Sequence, residues 1–353
     1  MNFSVQLDNY RQLINQGLED FFKSAKPKLG ERLNANEKAA LGYLEEFSLR
    51  RAKRLRGALT IFTYEQLAAR PNPSIVNAGL ALELIQSYLL IIDDVMDQSD
   101  LRRGKSSLHK LISDDNKAGD EHLTEMLAVN IALLAAHFAQ LTLLEVDEEP
   151  DRLNQASKFL HQNVALTAYG QIDDLYNHIK SSPKEAEVIK MYEKKSGYYS
   201  FVGPMQVGAA LAGQYSIKSA AELSSIGIPA GVGFQVQDDI LGLFGDEQTT
   251  GKSAADDLRE GKLTLLIYYA LQLASKKDQM VIKKLLGNKS VSSLDVERLR
   301  SIVQKSGALD GARRKAETSI GESKKAILSS TIFSDEAKLF LCNLLDFVIK
   351  RNS

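Results

Sequence analysis

Residues 81–104 read ALELIQSYLLIIDDVMDQSDLRRG. A long apolar run ends in Asp93, Asp94 and Asp97, then turns basic at Arg102 and Arg103. On a helix, Asp93 and Asp97 fall one turn apart on the same face, with Asp94 about 100° round. Carboxylates at a helix C-terminal end oppose the macrodipole and repel one another. The arrangement is poor for stability alone, unless cations sit there.

A second stretch has the same grammar. From Gly231 the chain runs GVGFQVQDDILGLFGDEQTTGKSAADDLREGKLTLL. An apolar helix-like run again ends in a pair, Asp238 and Asp239, with Asp246 two turns on and Lys252 and Lys262 following. A single acidic pair on a solvated surface is unremarkable; two with one pattern are not. Carboxylates facing each other across a cavity would be hard oxygen ligands for Mg²⁺, which takes carboxylates, waters and substrate phosphates. The Arg and Lys residues would hold the remaining phosphate oxygens, Arg by bidentate hydrogen bonds. Such a site is built for a diphosphate.

The rest of the chain suits this reading. It has 353 residues, 44% of them hydrophobic, enough for a large core. With 44 basic and 45 acidic residues there is no global field to recruit nucleic acid or an anionic membrane. The single cysteine, Cys342, excludes an internal disulfide and suits a reducing cytoplasm. The N-terminus is amphipathic and charged, unlike a signal peptide. Apolar runs before Asp93 and at Ile131–Ala136 are expected to be too short to span a bilayer.

Seven prolines and abundant Leu, Ala, Glu and Lys argue for mostly helix. The spacings Leu59, Phe62, Leu67 and Leu123, Leu127, Ile131, Leu134 fit a 3.6-residue period. Breaks are expected at Arg70–Ser74, Asp114–Asp120, Glu149–Asp151, Ser181–Lys184, Gly213–Ser216 and Asp246–Ser253. The reading is one all-α domain over residues 1–353, a large helical bundle around one cavity.

These residues resemble a known family. DDVMD with RRG after it, FQVQDD, KRLR at Lys53–Arg56, GQIDDL at Gly170–Leu175 and KSG at Lys195–Gly197 are similar, in order, to elements of the trans-isoprenyl diphosphate synthases. The resemblance runs from about Lys53 to the last helix. It implies the isoprenoid synthase type I fold around a central prenyl cavity, and a Mg²⁺-dependent condensation of isopentenyl diphosphate with an allylic diphosphate such as dimethylallyl, geranyl or farnesyl. It also implies three Mg²⁺ ions per site and a homodimer.

The resemblance further assigns roles. Asp93 and Asp97 would ligate Mg²⁺ with Asp94 in support, and Asp238 would ligate it from the other motif, with Asp239 and Asp246 as further candidates. Arg102, Lys195 and Lys252 would hold the allylic diphosphate, with Lys262 matching a downstream lysine near the second metal site. Lys53, Arg56, Gln86 and Arg103 would hold isopentenyl diphosphate near Phe234 and Gln235. Gln171 and Asp174 would sit beside the metals and the reacting carbons. The departing diphosphate is implied as proton acceptor. Water must be kept from the carbocation, which suits an apolar cavity.

Departures from the pattern are few. Gly242 stands where the second motif usually has its third aspartate. Arg51 and Ala52 replace two glycines before Lys53, and Gly57 replaces a proline. Chain length should be set below Asp93, where Tyr88 lies about 7.5 Å down the helix, with Leu89, Ile85 and Ser87 around it. One aromatic without an insertion in DDVMD resembles archaeal-type geranylgeranyl synthases. A farnesyl synthase is the alternative, then a class I terpene cyclase or the regulatory subunit of a heteromeric synthase. The stretch Asp114–Glu125 echoes a calcium loop, but Ala118 and Glu121 break the register, so a loop and helix start is expected. Gly231-Val232-Gly233 is read as close helix packing rather than a dinucleotide loop.

Overall fold

The computed structural model describes residues 2–28, 33–117, 119–179, 184–245 and 254–349. Asp246, Lys252 and Ala118, and most of the breaks expected at 181–184 and 246–253, lie outside the described residues. The chain is helical nearly throughout and divides into two compact units: Met1–Lys158 with Pro204–Tyr215, and Phe159–Gly203 with Ser216–Ser353.

The first unit holds α1 (Phe3–Lys28), α2 (Ala35–Leu49), α3 (Leu55–Leu67), α4 (Val76–Met96), α5 (Leu108–Asn116) and α6 (Glu121–Leu143). α4 is its centre, packed against α6, α3 and α1. The RPNPS break becomes the start of α4: Pro73 opens a 3₁₀ turn, and the Asn72 side chain accepts a hydrogen bond from Ser74 N at 2.9 Å. The core contains Ile14, Leu18, Phe22, Leu59 and Leu84, all buried.

The second unit takes most of α7 (Pro150–Ile179), then α8 (Glu185–Tyr192), a π-helix (Glu193–Val202) and α10 (Ile217–Phe244); α9 (Gly203–Leu211) belongs almost wholly to the first. After α10 come α11 (Asp256–Glu260), α12 (Leu265–Leu273), α13 (Lys276–Leu285), α14 (Ser293–Lys305), α15 (Ala308–Ser329) and α16 (Asp335–Ile349). α10 packs against the π-helix and α15, burying Val232, Val236 and Ile240.

Three expectations change. The apolar runs are not too short: they lie in helical segments of 24 and 23 residues, Pro73–Met96 and Glu121–Leu143. Length and composition would let both cross a membrane, but the apolar window of the first is 67% buried, as in a core helix. The Asp114–Asn116 residues are the last turn of α5 rather than loop; Asp120 then caps α6, accepting from Leu123 N at 3.1 Å. A short hairpin, β1 (Leu101–Arg102) with β2 (Lys105–Ser106), interrupts an otherwise helical pattern.

Candidate active site

In the first unit, the acidic end of α4 meets that hairpin. Its two-residue turn places Arg103 at φ 57° and Gly104 at φ 74°, the left-handed pair that a type I′ turn requires. This explains why a glycine follows the arginines. The turn sends Arg102 back to the helix end. Arg102 Nε donates to Asp94 Oδ1 at 2.7 Å, and Nη2 reaches Asp93 Oδ2 at 3.3 Å and Asp94. Asp94 is fully buried and Asp97 nearly so, while Asp93 is partly exposed. Burial works against the Arg102 charge, but Asp94 and Asp93 outweigh it and hold the guanidinium above its ordinary value. Arg102 is thus one cation at this helix end.

Beside it lies a basic cluster. Arg103 is pushed down to about 10 by burial, then by Arg54, with Arg102 and Arg56 adding to the effect. Its Nη1 is buried with no hydrogen-bond partner among the described residues. A buried, unpaired guanidinium nitrogen among like charges is costly unless an anion joins it, and a diphosphate fits that demand. Lys53 is exposed, Arg56 half-buried and Gln86 buried.

Arg54, which the sequence reading passed over, organises this cluster. It stands at φ 51°, buried, with Nη1 3.3 Å from Glu83 Oε2 and Nε donating to Asn15 at 2.9 Å. Glu83 also accepts from Gly57 N at 3.1 Å. A proline at 57 has no N–H to give, so the departure at Gly57 has a purpose. The one available signal was Glu83 itself, a lone acid inside an apolar run, since buried Glu is almost always paired. Farther back on α4, Ile85 is buried while Tyr88 and Leu89 are half-buried.

In the second unit, Lys195 and Lys194 project from the π-helix to α7: Lys195 Nζ donates to Asp174 at 2.9 Å and Lys194 Nζ to Asp173 at 2.6 Å. π-Helical turns are rare and cluster at functional sites. Close backbone contact fixes this one. A methyl on Gly170 would lie 2.7 Å from Lys195 N, and one on Gly231 2.2 Å from Gly197 Cα. The glycines of GQIDDL, KSG and GVG are thus packing glycines, as expected for GVG. Gln171 is half-buried on α7 beside them.

A hydrogen-bonded row runs from the π-helix into α10. Ser196 Oγ donates to Gln235 Oε1 at 2.5 Å, and Gln235 Nε2 donates to Asp239 Oδ1 at 3.0 Å. The Tyr192 hydroxyl donates to Asp239 Oδ2 and itself accepts from Leu265 N at 2.8 Å. Both oxygens of Asp239 are thus engaged, and burial pushes its carboxyl up to about 8. Asp238, one residue round, is only half-buried. Phe234 packs edge-on against Phe201, centroids 5.9 Å apart. Nothing in the sequence marked Tyr192, an aromatic among other helix residues.

Among the described residues no group of three His, Cys, Asp or Glu side chains could hold a metal unaided. Mg²⁺ is usually bound by one or two carboxylates together with waters and phosphates, and the partly exposed Asp93 and half-buried Asp238 are hard oxygen donors of that kind.

The sequence profile of the polyprenyl synthetase family matches residues 39–303. A geranylfarnesyl diphosphate synthase of Aeropyrum pernix is 30% identical over 85% of this chain and 90% of its own. A geranylgeranyl diphosphate synthase of Sulfolobus acidocaldarius is 30% identical over 78% of this chain and 79% of its own. Among solved structures, a geranylgeranyl pyrophosphate synthase of Corynebacterium glutamicum, complexed with isoprenyl diphosphate and magnesium, superposes with a TM-score of 0.91. It shares 26% identity and covers 98% of this chain and 99% of its own. With its two acidic helix ends and its helical fold, the chain belongs to the polyprenyl synthetase family and is a prenyltransferase.

Proposed function

We propose that the chain condenses isopentenyl diphosphate with an allylic diphosphate, using Mg²⁺, to make geranylgeranyl diphosphate. The observation that carries this reading is the meeting of Arg102 with Asp93 and Asp94 beside the buried, unpaired Nη1 of Arg103. Geranylgeranyl synthases recur among the relatives. The family profile crosses both compact units, which supports one catalytic domain built from the two.

In this reading Asp93, Asp97 and Asp238 are the Mg²⁺ ligands, and Asp94 acts through Arg102. Bound Mg²⁺ would neutralise charge growing on the leaving diphosphate. Arg102 and Lys195 hold oxygens of the allylic diphosphate, and Arg103, Arg56 and Lys53 hold those of isopentenyl diphosphate. Gln86, Phe234 and Gln235 complete that second site, and Lys252 and Lys262 the first. Preorganised charges of this kind supply the largest part of many rate enhancements. Tyr88, with Leu89 and Ile85, limits the growing chain.

A dimer is part of the proposal. α6 leaves Leu127, Leu134 and Leu141 exposed at seven-residue spacing, flanked by exposed Leu123 and Leu144. Such an apolar seam is suited to a second helix. A cytoplasmic setting is part of the same reading, and the lone Cys342, which can form no internal disulfide, supports it. Purified protein incubated with Mg²⁺, isopentenyl diphosphate and each allylic diphosphate in turn tests the function. A twenty-carbon product supports it; a cyclic hydrocarbon from the allylic substrate alone, or no turnover without a partner chain, overturns it.

A further inference from the structure

The second acidic motif lacks its third aspartate, and the space at Gly242 shows what takes its place. A methyl placed on Gly242 would lie 2.9 Å from Asp257 Oδ2. The Asp257 carboxylate, from the first turn of α11, reaches into the room that a side chain at 242 would fill. We propose that Asp257 supplies the carboxylate that Gly242 lacks, so that the second motif is completed from the following segment rather than from its own helix. This deepens the proposed function and rests on it.

Two further observations support the assignment. The other oxygen of Asp257, Oδ1, lies 3.8 Å from Lys262 Nζ, so the carboxylate stands between a cation and α10. Asp239, Asp257 and Lys262 also line one small cavity of about 20 Å³. Asp238 and Asp257 would give the one or two carboxylates that Mg²⁺ normally takes beside substrate phosphates and waters. Gly242 and Asp257 are complementary: a full side chain at 242 would push the carboxylate out.

Titration calorimetry of the full chain with Mg²⁺ and inorganic pyrophosphate tests this without turnover. Asp257→Ala and Asp257→Asn should each weaken Mg²⁺-pyrophosphate binding about tenfold or more, the range for losing a supporting metal contact. The double variant Gly242→Asp/Asp257→Ala, which moves the carboxylate back onto α10, should recover most of that loss. Thermal unfolding in chelator should be unchanged in the two single variants, since Asp257 is half-exposed. Wild-type affinity in both single variants, or a double variant no tighter than Asp257→Ala, overturns the inference while the wild type goes on elongating. A wild type that binds no Mg²⁺-pyrophosphate overturns the inference and the proposed function together. One that binds it but makes no longer diphosphate overturns only the function.

Discussion

The acidic ends of α4 and α10 share a sequence pattern and solve its electrostatic problem in opposite ways. At the end of α4 a guanidinium is driven between the carboxylates: Arg102 pairs with Asp94 and Asp93, and charge meets charge. At the end of α10 the buried member of the pair, Asp239, is held by neutral donors, the Tyr192 hydroxyl and the Gln235 amide. Burial dominates there and the carboxyl rises to about 8. Two identical residue pairs therefore meet different partners, a guanidinium at one and neutral donors at the other. What decides it is whether a turn delivers an arginine, which depends on the hairpin at 101–106 and not on the aspartates.

The largest effect should come from removing that arginine. Arg102→Ala takes the guanidinium from a fully buried Asp94 and should cost about 3 kcal/mol of stability, the range for breaking a buried ion pair from one side. Turnover should fall about 10³-fold, the upper range for losing one preorganised donor. Pairing it with Asp94→Asn should return much of the stability but not the rate, measured by denaturant unfolding and product formation. If Asp94→Asn alone is as harmless as a surface change, the ion pair is not what holds the α4 end.

At the other end the effect should be smaller. Tyr192→Phe removes both hydrogen bonds of the hydroxyl, to Asp239 and from Leu265 N, and should cost about 1 to 3 kcal/mol. It should also loosen Gln235 and Ser196, lowering turnover about tenfold by the same hydrogen-bond scale and raising the KM for isopentenyl diphosphate, which Gln235 helps to hold in the proposed site. A drop as deep as that of Arg102→Ala would erase the contrast between the two ends.

The contrast also has a pH signature. Asp239 titrates in the folded chain near 8, above its ordinary 3.8. Between these values the native state binds the extra proton, so stability is full at acid pH and is lost as pH rises towards 8. In chelator, unfolding free energy should fall by up to about 1.4 kcal/mol per pH unit across that window. Asp239→Asn should flatten the slope; an unchanged slope would place the responsible group elsewhere. The mildest effect is expected away from both acidic ends. Tyr88→Ala should leave the rate within about threefold, about 0.6 kcal/mol in the barrier, and shift product towards longer chains, read by chromatography of the dephosphorylated alcohols.

Much of the chemistry was legible because it resides in charged residues at fixed spacings within one segment. Asp93, Asp94, Asp97 and Arg102 lie within ten residues, and the hairpin brings together what the sequence already placed nearby. The helical periods gave the fold class for the same local reason. What escaped depends on tertiary approach. Arg54 reaches Glu83 across 29 residues, and Tyr192 reaches Asp239 across 47; neither has a periodic or motif signature. The hairpin went unread because two-residue strands are too short for alternation to register. The π-helix went unread because its extra residue per turn leaves the apolar pattern almost helical. Gly57 and Gly242 looked like losses until the N–H of one and the empty space of the other were seen to be used.

Where Gly197 and Gly231 meet, two main chains touch with only hydrogen atoms between them. That contact works as a machinist's stop: it sets how deeply the segment carrying Lys195 seats against α10. An alanine at Gly231 alters no charge and removes no hydrogen bond, yet it would shim that segment outward and carry the ammonium with it. A kinetic screen would score such a variant as a lost phosphate contact, although every polar residue remained in the gene.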